Sequence, residues 1–286
     1  MLTKINSTGI LLLFVTLSLV SFAQQKAVRI TDPIPVDAKV ITGKFDNGLA
    51  YYIRQNKKPE NRMELRLVVK TGSVMEDDDQ QGLAHFIEHL CFNGTKNFPK
   101  QDLVNFLESI GVRFGAHLNA YTSFDETVYM LRVPTDKPSD FKKAFQVLED
   151  WASNVSFENT EIEKERGVVG EEWRLGKGAG ERIRNKQLPT LLYKSKYADR
   201  IPIGQKEIID TAPYDAFKRF YRDWYRPNLM AVVAVGDFDP TVVANEITAH
   251  FSHLTNPANP RERTRHTLPD HDQTLVTIAT DKELPQ

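Results

Sequence analysis

From residue 43 to residue 134 apolar residues recur at alternate positions in several short runs, and beyond Pro138 they recur every third or fourth residue. Alternation marks a strand with one buried face, and the longer period marks a helix with a buried stripe. Asn47-Gly48, between residues 43–46 and 49–55, predicts a hairpin, and residues 63–70 a second, longer strand. Residues 76–81 are polar and acidic and read as a solvated loop. Helical patterns follow over residues 83–92 and 98–110, with Pro99 where a helix can begin. Residues 112–121 and 127–134 predict two strands joined by the polar residues 122–126.

The period then becomes helical. Phe141, Ala144, Phe145, Leu148 and Trp151 form the stripe of a core-facing helix. Residues 157–175 predict a second long helix ended by Gly176-Lys177-Gly178-Ala179-Gly180, and residues 181–192 a third. Residues 213–225 predict a fourth, capped by Thr211. Residues 230–235 read as an apolar strand and 241–251 as a helix. Strands grouped early and helices grouped late point to an α+β domain, an antiparallel-rich sheet covered by helices on one side. At Asn256 the pattern lapses into a Pro- and Arg-containing linker, and residues 274–279 predict a new strand whose partners would lie in a second domain.

Composition narrows the function classes. The 286 residues carry 37 Lys+Arg against 38 Asp+Glu with no basic block, which excludes a broad nucleic-acid footprint. A single cysteine, Cys91, excludes an internal disulfide framework and a Cys-rich metal module. At the N-terminus Lys4, an apolar run from Ile10 to Val20, and Ser21-Phe22-Ala23 form the pattern of a cleavable export signal over residues 1–23. The run is too short to span a bilayer, so the mature chain is expected to be periplasmic or secreted, without an integral membrane span.

The strongest chemical signal is His85-Phe86-Ile87-Glu88-His89. On a helix His85 and His89 project from one face one turn apart, the spacing at which two imidazoles hold one Zn²⁺. Glu88 lies beside them, able to reach a water on the metal without being a ligand. A catalytic zinc needs a third protein ligand. Within residues 157–175, Ile162, Val168, Val169, Trp173 and Leu175 share an apolar arc, and Glu165 and Glu172, seven residues apart, both point into its middle. Two carboxylates aimed at a core require compensation, which a metal and its histidines supply. Helical geometry leaves open which of the two is the ligand.

The stretch HFIEHLCFNGT, followed by FLESIGVRFGAHLNAYTSFDETVY and EKERGVVGEEW, resembles the pitrilysin (M16) family of metallopeptidases, to which insulin-degrading enzyme and the mitochondrial processing peptidase belong. The resemblance runs from about Gly43 to Phe251. It implies a mitochondrial-processing-peptidase-like metallohydrolase domain with His85, His89 and Glu172 as zinc ligands. It makes Glu88 the general base and Glu165 an acid supporting the ligands. The spacing from His89 to Glu172 implies a loop insertion near residues 136–140. The expected activity is a zinc endopeptidase acting on peptides or small proteins. Residues 118–122 resemble the family's edge strand, which takes substrate as an added strand, with Asn119 and Ala120 as the contacts. The resemblance also implies a second half, in the same chain or a partner subunit, that supplies an Arg and a Tyr. The expected division is an export signal at 1–23, a peptidase domain at 24–255, a linker at 256–272 and the start of a second domain at 273–286. The alternatives are a non-catalytic scaffold of this family or a subunit that binds peptides without cutting them.

Weaker signals carry blander expectations. Cys91 reads as a small buried residue and His117 as a strand-surface residue. His250 and His253 imitate a metal pair but lack an evident acid on their own element. The glycine-rich 176–180 stretch follows a helix rather than a strand and fits no phosphate loop.

Overall fold

The computed structural model describes residue 31, residues 34–112 and residues 118–284. The chain divides into two compact units, Met1–Ala38 and Lys39–Gln286. Residues 34–37 of the first unit form neither helix nor strand, and the expected export signal at 1–23 lies outside the described residues.

The second unit is built on six strands: β1 (Ile41–Lys44), β2 (Ala50–Gln55), β3 (Arg62–Val69), β4 (Leu118–Thr122), β5 (Thr127–Pro134) and β6 (Met230–Gly236). Their order in the sheet is β1-β2-β6-β3-β5-β4, and only β2 and β6 run parallel. The hairpin expected at Asn47-Gly48 forms, with Gly48 at φ 91°, a conformation that favours glycine. On β3 the alternation decides the faces. Met63, Leu65, Leu67 and Val69 are fully buried, whereas Glu64, Arg66 and Val68 line an open groove of about 690 Å³ on the other side. Buried Leu131 and Val133 of β5 and Val232 and Ala234 of β6 extend the apolar face.

Eight α-helices occur among the described residues: α1 (Leu83–Leu90), α2 (Asp102–Ser109), α3 (Pro138–Ser153), α4 (Asn159–Leu175), α5 (Ala179–Leu191), α6 (Lys206–Thr211), α7 (Tyr214–Trp224) and α8 (Pro240–Phe251). The α+β expectation with one covered face is met. Buried Phe86 of α1 meets Phe217 of α7 edge-on at 4.8 Å between ring centroids. Trp151 of α3 donates its indole N–H to the Cys91 carbonyl at 2.9 Å. Asp150 beside it accepts from Thr95 Oγ1 at 2.6 Å and from the Asn97 amide at 3.0 Å, pinning the loop that leaves α1.

Several expectations are corrected. The 76–81 loop is only partly solvated: Asp78 and Asp79 are exposed, but Glu76 and Gln80 are buried, and Asp77 and Asp79 pair with Arg261 and Arg219 at 2.9 and 2.6 Å. The partners are distant in sequence, so the local run of acids hid them. Thr211 does not cap α7, because it closes the short α6 and donates its hydroxyl to the Glu207 carbonyl. Only residues 135–137 separate β5 from α3, so the connection near the expected insertion is short. Val168 and Leu175 are exposed, by 54% and 71%, so of the expected apolar arc of α4 only Ile162, Val169 and, in part, Trp173 face the core. Residues 274–279 form no strand. Instead they lie along α5, where Thr277 bonds Thr190 and Asp281 pairs with Arg182. His117 and residues 113–117 lie outside the described residues.

Near the start of α1 two backbones cross. Gly204 has φ +72°, and a Cβ there would sit 2.2 Å from Gly82 Cα and 2.5 Å from the Gln81 oxygen. Both obstacles are backbone, which cannot rotate aside as a side chain does. We expect Gly204→Ala to cost about 1–3 kcal/mol of stability, read as a lower urea midpoint. An unchanged midpoint would show that the crossing is looser than described.

Candidate metal centre

α1 exists because five of its eight residues, Leu83, Ala84, Phe86, Ile87 and Leu90, are apolar and buried. The positions left over are His85, Glu88 and His89, which gather on the remaining flank. α4 brings two carboxylates to that flank, on the boundary between buried Ile162 and Val169 and exposed Val168 and Leu175. Glu165 therefore sits inside and Glu172 at the open edge.

Three side chains converge. His85 Nε2 lies 3.6 Å from Glu172 Oε1, and His89 Nε2 lies 3.5 Å from Glu172 Oε2. One potential ligand atom from each residue falls within 4.8 Å of the others, and this is the one such group of His, Cys, Asp or Glu among the described residues. Four ligands placed tetrahedrally about 2.1 Å from a zinc ion stand about 3.4 Å apart, so these separations fit the ion. His85 Nδ1 is buried without a hydrogen-bond partner, which leaves Nε2 as the atom with work to do. The imidazole rings stand edge-on, 4.8 Å between centroids, so both nitrogens face the same space.

Glu165 does not join that trio. Its Oε1 lies 2.8 Å from His89 Nδ1, and its Oε2 accepts from Asn93 Nδ2. The Glu165 contact fixes Nδ1 as a donor and turns Nε2 toward Glu172. Glu88 is buried and accepts from Thr122 Oγ1 at 2.7 Å, at the end of edge strand β4. Thr122 and Asn93 were not singled out from sequence. Asn93 follows His89 by one helical turn, a spacing that offered a signal. Nothing in the spacing ties Thr122 to Glu88, since sheet and helix meet only in the fold.

Electrostatics separates the two imidazoles. Burial, aided by the like charge of His89, holds His85 down to about 4. Burial opposes the charged form of His89 as well, but the hydrogen bonds it gives to Glu165 and Glu172 outweigh it and raise His89 to about 10. Glu172 is lowered, first by its contact with His89. For Glu165 burial pulls upward, yet His89 and Asn93 prevail and lower it. Burial raises Glu88 against the hydroxyl of Thr122.

Asn119 and Ala120 lie on β4, the last strand in the sheet order, where the Ala120 amide donates to Asn119 Oδ1 at 2.9 Å. Cys91 is buried and donates to the Tyr129 hydroxyl at 3.2 Å, as a small core residue does. His250 and His253 both meet Glu149 of α3, at 2.6 and 3.4 Å, and, contrary to expectation, Glu246 of their own helix lies 3.8 Å from His250, yet the group does not form a metal-sized trio. A space of about 390 Å³ opens beside His85 and Glu172, walled by Phe124, Leu188, Ile201 and Pro202.

The His89–Glu165 contact sets a pH window for the metal-free protein. A raised His89 contributes stability that is complete below its ordinary 6.5 and lost as pH climbs through about 10. A lowered Glu165 contributes above its ordinary 4.5 and loses that contribution in acid. We expect Glu165→Gln to move the His89 titration, followed by imidazole NMR in metal-free protein, down toward 6.5. A His89 midpoint that stays near 10 would refute the pairing.

The chain is similar to known zinc proteases along most of its length. Residues 51–201 match the family described as Insulinase (Peptidase family M16), and residues 211–286 match the Peptidase M16 inactive domain. The second stretch includes β6, in the middle of the sheet. The chain is 42% identical over 242 residues to a zinc protease PQQL-like protein of Arabidopsis thaliana, covering 84% of this chain and 25% of that one. It is 40% identical over 226 residues to the probable zinc protease PqqL of Escherichia coli K12, covering 79% and 24%. It therefore spans about a quarter of the length of these relatives. The crystal structure of the first half of the periplasmic protease PqqL from Escherichia coli superposes with a TM-score of 0.78 at 37% identity, covering 83% of this chain and 50% of that one. The chain belongs to peptidase family M16.

Proposed function

We propose that this chain carries the zinc-binding part of an exported endopeptidase. The observation that carries the proposal is two imidazole Nε2 atoms facing the two oxygens of one carboxylate at 3.6 and 3.5 Å. In this reading His85, His89 and Glu172 hold the ion, Glu88 is the general base and Glu165 orients His89. When bound, zinc supplies a Lewis acid for the peptide carbonyl and acidifies the attacking water to near neutrality.

The chain's own residues do the rest. Glu88, raised by burial, takes a proton from the attacking water and returns it to the departing amine nitrogen. Thr122 holds the Glu88 carboxylate from the β4 side through its hydroxyl. Strand β4 has a free edge among the described residues, so a peptide can add to it as a further strand. The Ala120 amide, now satisfied by Asn119 Oδ1, can transfer to a substrate carbonyl. Main-chain pairing of this kind serves peptides and small proteins of varied sequence.

The remaining length of the relatives leaves room for a second M16 half in the same chain. The N-terminal apolar run, and the periplasmic location named for the Escherichia coli relative, support export. Among the described residues no helix is long and apolar enough to cross a membrane.

Two measurements test the reading. Glu88→Gln should keep one zinc per chain while losing about 10²–10⁴-fold in cleavage of a quenched fluorescent peptide, whereas His85→Ala should lose the metal itself. Equal cleavage by Glu88→Gln and the parent would end the catalytic assignment. Because His89 is protonated at neutral pH without metal, zinc binding at pH 7 should release about one proton. Apparent affinity should then rise about tenfold per pH unit between 6 and 8. Calorimetry in buffers of different ionisation enthalpy reads the proton directly.

A further inference from the structure

Glu76 is fully buried, and the chemistry above does not use it. Its Oε1 accepts the Gly82 amide at 3.0 Å and the Ala84 amide at 2.9 Å, at the start of the helix that bears His85 and His89. Its Oε2 is buried without a partner. The carboxylate touches neither His85, His89, Glu172 nor Glu88, so any influence on the site runs through the backbone of α1.

That backbone needs an external cap. The amides of a helix's first turn have no partner within the helix, and a Ser, Thr, Asp or Asn at the capping position ordinarily serves them. Here the position is Gly82, at φ 104°, with no side chain to offer. The conformation and the crossing with Gly204, 3.1 Å from where a Cβ would stand, keep it glycine. The missing acceptor is delivered from six residues upstream. Glu76 is itself held: its carbonyl accepts Arg200 Nε at 3.2 Å, and Ser73 Oγ donates to the Arg200 carbonyl at 2.5 Å.

The consequence falls on His85. α1 has eight residues, barely two turns, and a helix so short is not stable alone. His85 is its third residue, inside the turn that Glu76 satisfies. A start displaced by one residue rotates the helix face by about 100°, which would turn both Nε2 atoms away from Glu172. We propose that Glu76 is a positioning residue, an internal carboxylate cap that fixes the start and rotation of α1 and so aims His85 and His89 at Glu172. The inference rests on the reading of His85, His89 and Glu172 as zinc ligands. It needs an acceptor oxygen rather than a charge, so glutamine can take the place of glutamate. Burial, which pushes the Glu76 carboxyl up to about 8, agrees with a role that does not depend on full ionisation.

The test compares the full chain with Glu76→Gln and Glu76→Ala, measuring zinc affinity by chelator competition, the visible spectrum of the Co²⁺-substituted protein, and kcat and KM separately. Glu76→Ala should lose about 10–100-fold in zinc affinity, with an altered Co²⁺ spectrum, a lower kcat and a KM near the parent's. Glu76→Gln should restore all four. Parent-like zinc affinity in Glu76→Ala, or equal damage in both variants, overturns the proposal. Should Glu76→Ala fail to fold, amide hydrogen exchange in the parent decides. Protection of Ala84 matching mid-helix Ile87 supports the cap, and exchange at the rate of a fraying end overturns it. A parent that binds no zinc, or binds it equally after His85→Ala, refutes the ligand reading instead and leaves the exchange result to judge the cap.

Discussion

The contact between α1 and α4 sets two imidazoles and two carboxylates side by side at the margin of an apolar core, and the rest of the molecule answers to that demand. Groups of this kind leave water at a cost unless each finds a partner. Glu165 meets the cost inside by bonding His89 and Asn93, while Glu172 stays half in solvent at the rim. Neither arrangement would hold if α4 rolled. Arg166 resists that roll by donating to the Ile209 and Ala212 carbonyls, both at 2.6 Å, and Trp173 donates to the Gly204 carbonyl at 3.2 Å.

The same contact explains why two histidines on one helix differ so strongly. His85 is nearly enclosed and has no acceptor for Nδ1, so its neutral form wins. His89 has Glu165 on one nitrogen and Glu172 near the other, and its cation wins. The raised His89 thus carries its second proton on Nε2, the nitrogen that faces Glu172. In the proposed assignment a divalent ion takes the place of that proton, and His85, held neutral, offers it Nε2.

Much of this was legible before any coordinates. The hairpin at Asn47-Gly48, the alternation of residues 63–70 and the stripe from Phe141 to Trp151 all act over a few residues, and each became the expected element. His85, Glu88 and His89 were legible for the same reason, since one helical turn fixes their relation. The choice between Glu165 and Glu172 was not, because seven-residue spacing makes them equivalent on a helix; only the depth of α4 against α1 separates them. The acidic run 76–81 misled, since its arginines sit more than a hundred residues away and Glu76 has no local reason to be buried. Val168 and Leu175 misled in the opposite sense, because a helix at a cleft leaves part of its apolar arc uncovered. A strand was expected over 274–279 from composition, but a ladder requires a neighbour, and among the described residues the neighbour is α5.

The place of β6 in the sheet bears on the order in which the molecule can assemble. It arrives late in the chain yet lies between β2 and β3, joining the β1–β2 hairpin on one side to β3, β5 and β4 on the other. Without it those two pieces would have unpaired inner edges and no common sheet. Although the HFIEH helix is made early, the platform beneath it is closed only by residues synthesised more than a hundred positions afterwards. A chain that ended before Met230 would therefore lack the strand that ties the two parts of the sheet into one platform beneath the α1–α4 contact.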